Sequence, residues 1–291
     1  MSGPLRIFVV TLLLTGTWLQ SGVASSAEPR YRDVEFALVE GHRLRLDLYL
    51  PESGEEHPLV IWVHGGAWRA GSKNRMPLGR LLNHGFAIAS VDYRLSPVAK
   101  FPAQAHDIKA AIRFLRASAG KYGLNPNRFN IAGSSAGGHL AALVGVSNDV
   151  MDLEGTVGDH LSVSSDVQGI VSFFGASNLQ TILAQSTPHG LSVRVPALNL
   201  LLGGPPEQHA ELARLASPVT HVDASDPPLL LIHGDQDPQM PINQSHELQG
   251  RYRQYGRPVF FEVVHGGVHG GPGFFEDAML DRVAEFLGTT K

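Results

Sequence analysis

Gly133-Ser134-Ser135-Ala136-Gly137 places a serine between two glycines, each two positions away. The motif directly follows a strand-like run, Phe129 to Ala132, and directly precedes a helix-compatible stretch that begins at Ala136. A serine on such a turn is strained and exposed, and the glycines remove the clashes that the turn would create. The helix N-terminus behind it supplies a backbone N–H and a positive dipole end for developing negative charge. With 32 glycines in the chain the pattern alone is weak. Its strand–turn–helix context makes Ser135 a candidate nucleophile.

Serine attacks a carbonyl only when a base takes its proton. Of the 14 histidines, His269 lies after the last apolar run in a glycine-rich loop, His265-Gly-Gly-Val-His269-Gly-Gly. His265, the competing candidate, ends a strand and reads as packed beneath the loop. The base in turn needs an acid to hold its ring and tautomer. His233-Gly-Asp235-Gln-Asp237 follows the run Leu229 to Ile232, so both carboxylates lie beyond the strand's C-terminal end, where ligand sites of open α/β sheets gather. Asp237 reaches further and is the candidate acid. Asp235 reads as a turn residue bonding its own backbone. Ser135, Asp237 and His269 then stand in the order serine, acid, histidine, the set for two-step acyl transfer.

An oxyanion needs donors. His64-Gly-Gly-Ala67-Trp68 follows the apolar run Leu59 to Val63, and its glycines let backbone N–H groups approach a substrate oxygen. Gly66 and Ala67, with the N–H of Ala136, are the candidate donors. His64 reads as a loop-organising residue. Trp68 is assigned to substrate binding, with simple packing as the alternative.

The elements that must position these groups alternate along the chain. Leu44, Leu46, Leu48 and Leu50 alternate with polar residues as in a half-buried strand. Leu59–Val63, Phe86–Val91, Arg128–Ala132, Val167–Phe174, Leu229–His233 and Val259–Val264 read as further strands, mostly apolar throughout. Met76–His84, Gln104–Ala119 and Ala136–Val146 read as helices. Such alternation predicts an α/β fold, a mostly parallel central sheet with helices on both faces. Asn178 to Asp226, rich in proline and glycine, breaks the rhythm and reads as a small cap insertion over the site.

Composition narrows the chemistry. The 291 residues are 43% hydrophobic and 17% charged, which describes a globular chain rather than a disordered one. With no cysteine, thiolate catalysis and thiolate metal sites are excluded. The net charge of −4 and scattered basic residues give no footing for nucleic-acid binding. Neither histidine pair, His265/His269 or His42/His57, lies on a helix with a third ligand near, and no phosphate-binding loop motif occurs, so no metal, cofactor or nucleotide is expected. Residues 1–27 have the charged start, apolar stretch and small-residue end of a secretory signal peptide. The mature chain, 28–291, is then a single domain, secreted or periplasmic, with no stable membrane insertion.

His64-Gly-Gly-Ala-Trp68, Asp92-Tyr-Arg-Leu95, Gly133-Ser-Ser-Ala-Gly-Gly-His139, His233-Gly-Asp-Gln-Asp237 and Gly267-Val-His269-Gly270 resemble the α/β-hydrolase superfamily. Within it the chain is similar to the hormone-sensitive-lipase-like esterases and the bifunctional feruloyl and acetyl xylan esterases, from about residue 34 to 287. The resemblance implies a cofactor-free, serine-dependent carboxylic ester hydrolase. It implies Ser135 as nucleophile, Asp237 as acid, His269 as base, and Gly66, Ala67 and Ala136 as the oxyanion hole. Ala67 departs from the glycine of many relatives, and its methyl group narrows the room for a bulky substrate. The expected substrates are short-chain, acetyl-type esters, small or borne on acetylated or feruloylated polysaccharide. Two other readings stand beside this one: an arylformamidase-type amide hydrolase and a non-catalytic binding protein on the same scaffold.

Overall fold

The apolar runs, except Val259–Val264 at one edge, fall in the middle of one eight-stranded sheet. The computed structural model describes residues 27–290, so the expected signal peptide, apart from Ala27, lies outside the described residues. The strands are β1 (Tyr31–Val39), β2 (His42–Tyr49), β3 (His57–Val63), β4 (Ala87–Val91), β5 (Leu124–Ser134), β6 (Ile170–Phe173), β7 (Leu229–Gly234) and β8 (Val259–Val264). They lie in the order β1-β2-β4-β3-β5-β6-β7-β8. β1 and β2 are antiparallel, as are β2 and β4, and every later pairing is parallel.

β3 shows why its run is apolar throughout. Leu59, Ile61 and Val63 pack into one core and Val60 and Trp62 into another, on opposite faces of the sheet. A strand alternates its side chains with period two, so covering both faces requires every residue to be apolar. The helices that provide the cover are α1 (Ala103–Ala117), α2 (Ala119–Tyr122), α3 (Ala136–Gly145), α4 (Met151–Glu154), α5 (Ile182–Gln185), α6 (Pro188–Leu202), α7 (Ala210–Leu215), α8 (Asn243–Gln254) and α9 (Asp277–Thr289). α1, α3 and α8 bury their apolar stripes on the face of Ile61, and α9 does so on the face of Trp62. None of the described helices is long and apolar enough to cross a membrane.

One local expectation differs from what is seen, and β1 is a strand that the sequence reading lacks. Met76–His84 forms only a 3-10 turn over Gly79–His84, closed by Gly85 in the left-handed region. β1 escapes the period-two pattern because register shifts interrupt its pairing with β2, so inward residues do not recur at every second position. The 178–226 insertion, between β6 and β7, carries α5, α6 and α7.

Because β3, β5, β6, β7 and β8 run parallel, the loops after Val63, Ser134, Phe173, Gly234 and Val264 emerge at one edge of the sheet. Every candidate catalytic residue sits on one of those loops or at its end.

Candidate active site

Ser135 occupies the turn between β5 and α3 with φ 54° and ψ −117°, a conformation that non-glycine residues rarely adopt. The turn is that tight because β5 and α3 press against the end of β3. A β-carbon at Gly133 would collide with the carbonyl of Gly137, and one at Gly137 with the carbonyl of Val63. The N–H of Ser135 is held by Phe173 O at 2.8 Å. The strain at the serine is thus fixed from both neighbouring strands.

The three candidate catalytic side chains meet. Ser135 Oγ donates to His269 Nε2 at 2.8 Å, and His269 Nδ1 donates to Asp237 Oδ2 at 2.7 Å. The Asp237 side chain is fully buried and accepts at its other oxygen from the N–H groups of Gln239 and Met240, each at 2.8 Å. Burial pulls its pKa upward, but hydrogen bonds from His233, His269 and the Met240 N–H outweigh burial and hold the carboxyl well below the usual carboxylate range. It stays ionised, as a group that orients an imidazole and stabilises its charged form must. The Phe174 ring meets the His269 ring edge-on, with centroids 4.8 Å apart.

His233 braces the acid loop from beneath. Its Nε2 donates to Met240 O at 3.0 Å, and its Nδ1 accepts from Ser245 Oγ at 2.7 Å. From the insertion, α6 presses on the same loop with one stripe of residues. Thr187 donates to Pro238 O, Arg194 Nη2 donates to Gln239 O at 2.7 Å, and a β-carbon at Gly190 would lie 3.1 Å from that Gln239 oxygen. Positions three and four apart share a helix face, so these three residues form a single contact surface. Arg194 is fully buried, and its Nε and Nη1 have no hydrogen-bond partner. Burial brings its pKa down to about 10, with the Asp237 charge opposing that shift.

A second acid–imidazole pair forms that the sequence reading did not expect, because Asp235 bonds the histidine loop rather than its own backbone. His265 Nδ1 lies 2.9 Å from Asp235 Oδ2, and the Gly266 N–H donates to Asp235 Oδ1 at 2.8 Å. His265 is 86% exposed and points away from the serine's partners. The pair ties the histidine loop to the acid loop.

Gly66 and Ala67 have φ of 121° and 52°, and a β-carbon at Gly66 would collide with the Ala70 carbonyl. Among the described residues no backbone or side-chain group accepts from the N–H of Gly66, Ala67 or Ala136. Three unused donors therefore stand on the two loops beside Ser135. His64 donates from Nδ1 to Gly65 O at 2.8 Å and stacks on Tyr93, whose hydroxyl donates to His64 O.

Trp68 requires a correction. Its side chain is fully buried, away from the cleft, and its Nε1 donates to His139 Nδ1 at 3.0 Å. His139 Nε2 then donates to Ala216 O at 2.7 Å. Positive φ at both Ala67 and Trp68 turns the indole inward, where it ties the donor loop to α3 and to the end of the insertion.

The cleft above Ser135 has a volume of about 750 Å³. Trp62, Met76, Phe174 and Phe275 supply apolar wall, and Arg69, Asn74, Arg75 and Gln239 its polar positions. No residue of 178–226 lines it; the insertion buttresses the acid loop rather than roofing the cleft. These lining residues were not foreseen, and only Phe174, at the end of an apolar strand beside the site's edge, carried a sequence signal.

An eight-stranded sheet in this order, with a strained serine after β5, an acid after β7 and a histidine after β8, defines an α/β-hydrolase. The chain belongs to the BD-FAE family of esterases, whose pattern matches residues 46–252. It is 32% identical over 217 residues to Esterase LipC of Mycobacterium tuberculosis, covering 73% of this chain and 53% of LipC. The chain spans about half the length of the curated relatives it matches. Among solved structures, a truncated form of a carbohydrate esterase from gut microbiota aligns with a TM-score of 0.79 and 34% identity, over 89% of this chain and 94% of that one. Propionate-bound esterase 2 of Thermogutta terrifontis aligns at 0.70 and 26%, over 87% and 92%.

Proposed function

We propose that the protein is a serine-dependent carboxylic ester hydrolase that acts on short-chain acyl esters through an acyl-enzyme. The observation that carries the reading is the unbroken hydrogen-bond chain from Ser135 Oγ through the His269 ring to a buried, ionised Asp237. In the first step Ser135 Oγ forms a bond to the ester carbonyl carbon while His269 Nε2 takes its proton. Asp237 stabilises the imidazolium, and the N–H groups of Gly66, Ala67 and Ala136 receive the oxyanion. His269 returns the proton to the leaving alcohol, and water then cleaves the acyl-serine by the same route.

The short acyl preference draws support from the propionate-bound relative and from the Ala67 methyl beside the donors. The carbohydrate-esterase relative supports an ester borne on a polysaccharide as the natural substrate. The charged, then apolar, then small-residue start of the chain supports a secreted or periplasmic location.

Hydrolysis of 4-nitrophenyl esters from acetyl to palmitoyl, by wild type and Ser135→Ala, tests the reading. Activity on acetyl and butyryl esters that vanishes in the variant is expected. A folded wild type inactive on every ester, or a Ser135→Ala enzyme of normal rate, would overturn it.

A further inference from the structure

Arg69 and Arg75 are the fully charged side chains lining the cleft of Ser135, and no Asp or Glu lines it. Both are exposed, and neither has a carboxylate within ion-pair distance among the described residues. Two other clefts differ: Glu55, Glu56 and Asp281 stand in one beside Arg128, and Glu52 and Asp277 in the other beside Arg80. A chain with net charge −4 thus has a wholly cationic rim at its nucleophile.

The backbone that carries both arginines is anchored at the rim of the cleft. Lys73, between them, is buried, and its Nζ pairs with Asp33 at 2.9 Å and Asp47 at 2.8 Å. Its N–H donates to Asp92 and its carbonyl accepts from Ser90 Oγ. Trp62 Nε1 donates to Arg75 O at 2.7 Å. The cation that structures the loop has its carboxylates; the two at the cleft are left without any. The acids nearest the site are already engaged: Asp237 accepts from His269, and the half-buried Asp92 accepts from the Lys73 N–H.

Resting on the esterase reading above, we propose that Arg69 and Arg75 form an anion subsite, and that the substrate is an ester carrying a carboxylate close to the scissile bond. Exposed guanidiniums in a cleft steer such a substrate inward and pair with its carboxylate.

Two matched pairs of esters test this at low ionic strength. For an alcohol-side carboxylate, 4-acetoxybenzoate is compared with its neutral methyl ester; for an acyl-side carboxylate, 4-nitrophenyl hydrogen succinate is compared with 4-nitrophenyl butyrate. Each kcat/KM is divided by that ester's hydroxide-catalysed rate. The anionic member is expected to be favoured about tenfold on one arm, which identifies the side carrying the charge. The preference should fall toward unity in Arg69→Gln/Arg75→Gln and in 0.5 M salt, both as ratios independent of overall rate. A wild-type ratio near unity on both arms, with neutral esters turned over, would overturn the subsite and spare the esterase reading. So would a preference that survives the double substitution. Turnover of none of the four esters would remove both.

Discussion

Asp237 with His269 and Asp235 with His265 are two carboxylate–imidazole pairs built from the same two loops, two residues apart on one and four on the other. Their hydrogen bonds are alike, 2.7 Å and 2.9 Å. Their surroundings are not. The side chain of Asp237 is fully buried and that of His269 is 14% exposed, whereas that of Asp235 is about one-third exposed and that of His265 almost wholly so. Water screens the outer pair and competes for its protons, so its mutual attraction is weak. The inner pair lies under Phe174, is braced by His233, and reaches a serine. The pairing itself is therefore not what makes a catalytic dyad here. Burial and a third partner do.

The largest effect expected from this contrast is on Asp237→Asn. An amide there cannot hold the His269 tautomer or stabilise the imidazolium, and kcat should fall on the order of 10³–10⁴-fold with the fold retained. Steady-state kinetics on 4-nitrophenyl acetate, with circular dichroism as a check on folding, measures it. A loss under tenfold would break the comparison at its root, since a buried charge beside His269 would then not be what makes the inner pair catalytic.

A third histidine extends the contrast to stability. His139 is fully buried and neutral: its Nε2–H donates to Ala216 O, while its Nδ1 accepts from Trp68. Burial brings its pKa down to about 4, below the usual histidine value near 6.5. The unfolded chain therefore binds this proton more readily. Stability from this group is complete above pH 6.5 and declines as pH falls toward 4, by roughly 2–3 kcal/mol between pH 7.5 and 4.5. Urea unfolding at those two pH values measures the slope, and His139→Asn should flatten it. An equal slope in that variant would place the acid sensitivity elsewhere.

What could be read in advance follows the range of the interactions involved. The serine turn is local: its glycines, strand and helix lie within about 20 residues, and each is forced by backbone crowding against β3. Asp237 and His269 were legible because the end of a parallel strand must deliver its loop to the same edge as the serine. Which of two neighbouring acids and histidines goes inward was harder: reach past the strand picks Asp237, but the ground for preferring His269, that His265 packs beneath the loop, does not hold, since His265 is 86% exposed. Trp68 was misassigned because a tryptophan's direction depends on the φ of two consecutive residues, which its own type does not reveal. The Thr187, Gly190 and Arg194 stripe was invisible for a different reason. Its partner, the carbonyl-rich loop at Pro238–Gln239, lies more than 40 residues away, and α6 contains a proline that disguises the helix. The cleft lining, drawn from five loops, was hidden in the same way.

The smallest expected effect is the sharpest test of the opening contrast. Asp235→Asn removes the charge from the outer pair but leaves an amide oxygen able to accept from the Gly266 N–H and from His265. The loops remain joined by backbone bonds, Gln236 N–H to Gly267 O at 3.0 Å and Asp235 N–H to Val264 O at 3.3 Å. His269 should therefore keep its position, and kcat/KM should change less than about threefold, in keeping with the modest worth of exposed pairs. A loss approaching that of Asp237→Asn would show that the outer pair carries the histidine loop, and that solvent exposure is a poor guide to which contacts position the base. A loss near unity at every pH between 5 and 8 would confine the chemistry to the inner pair. The exposed pair would then act as a tether that any hydrogen-bonding side chain can replace.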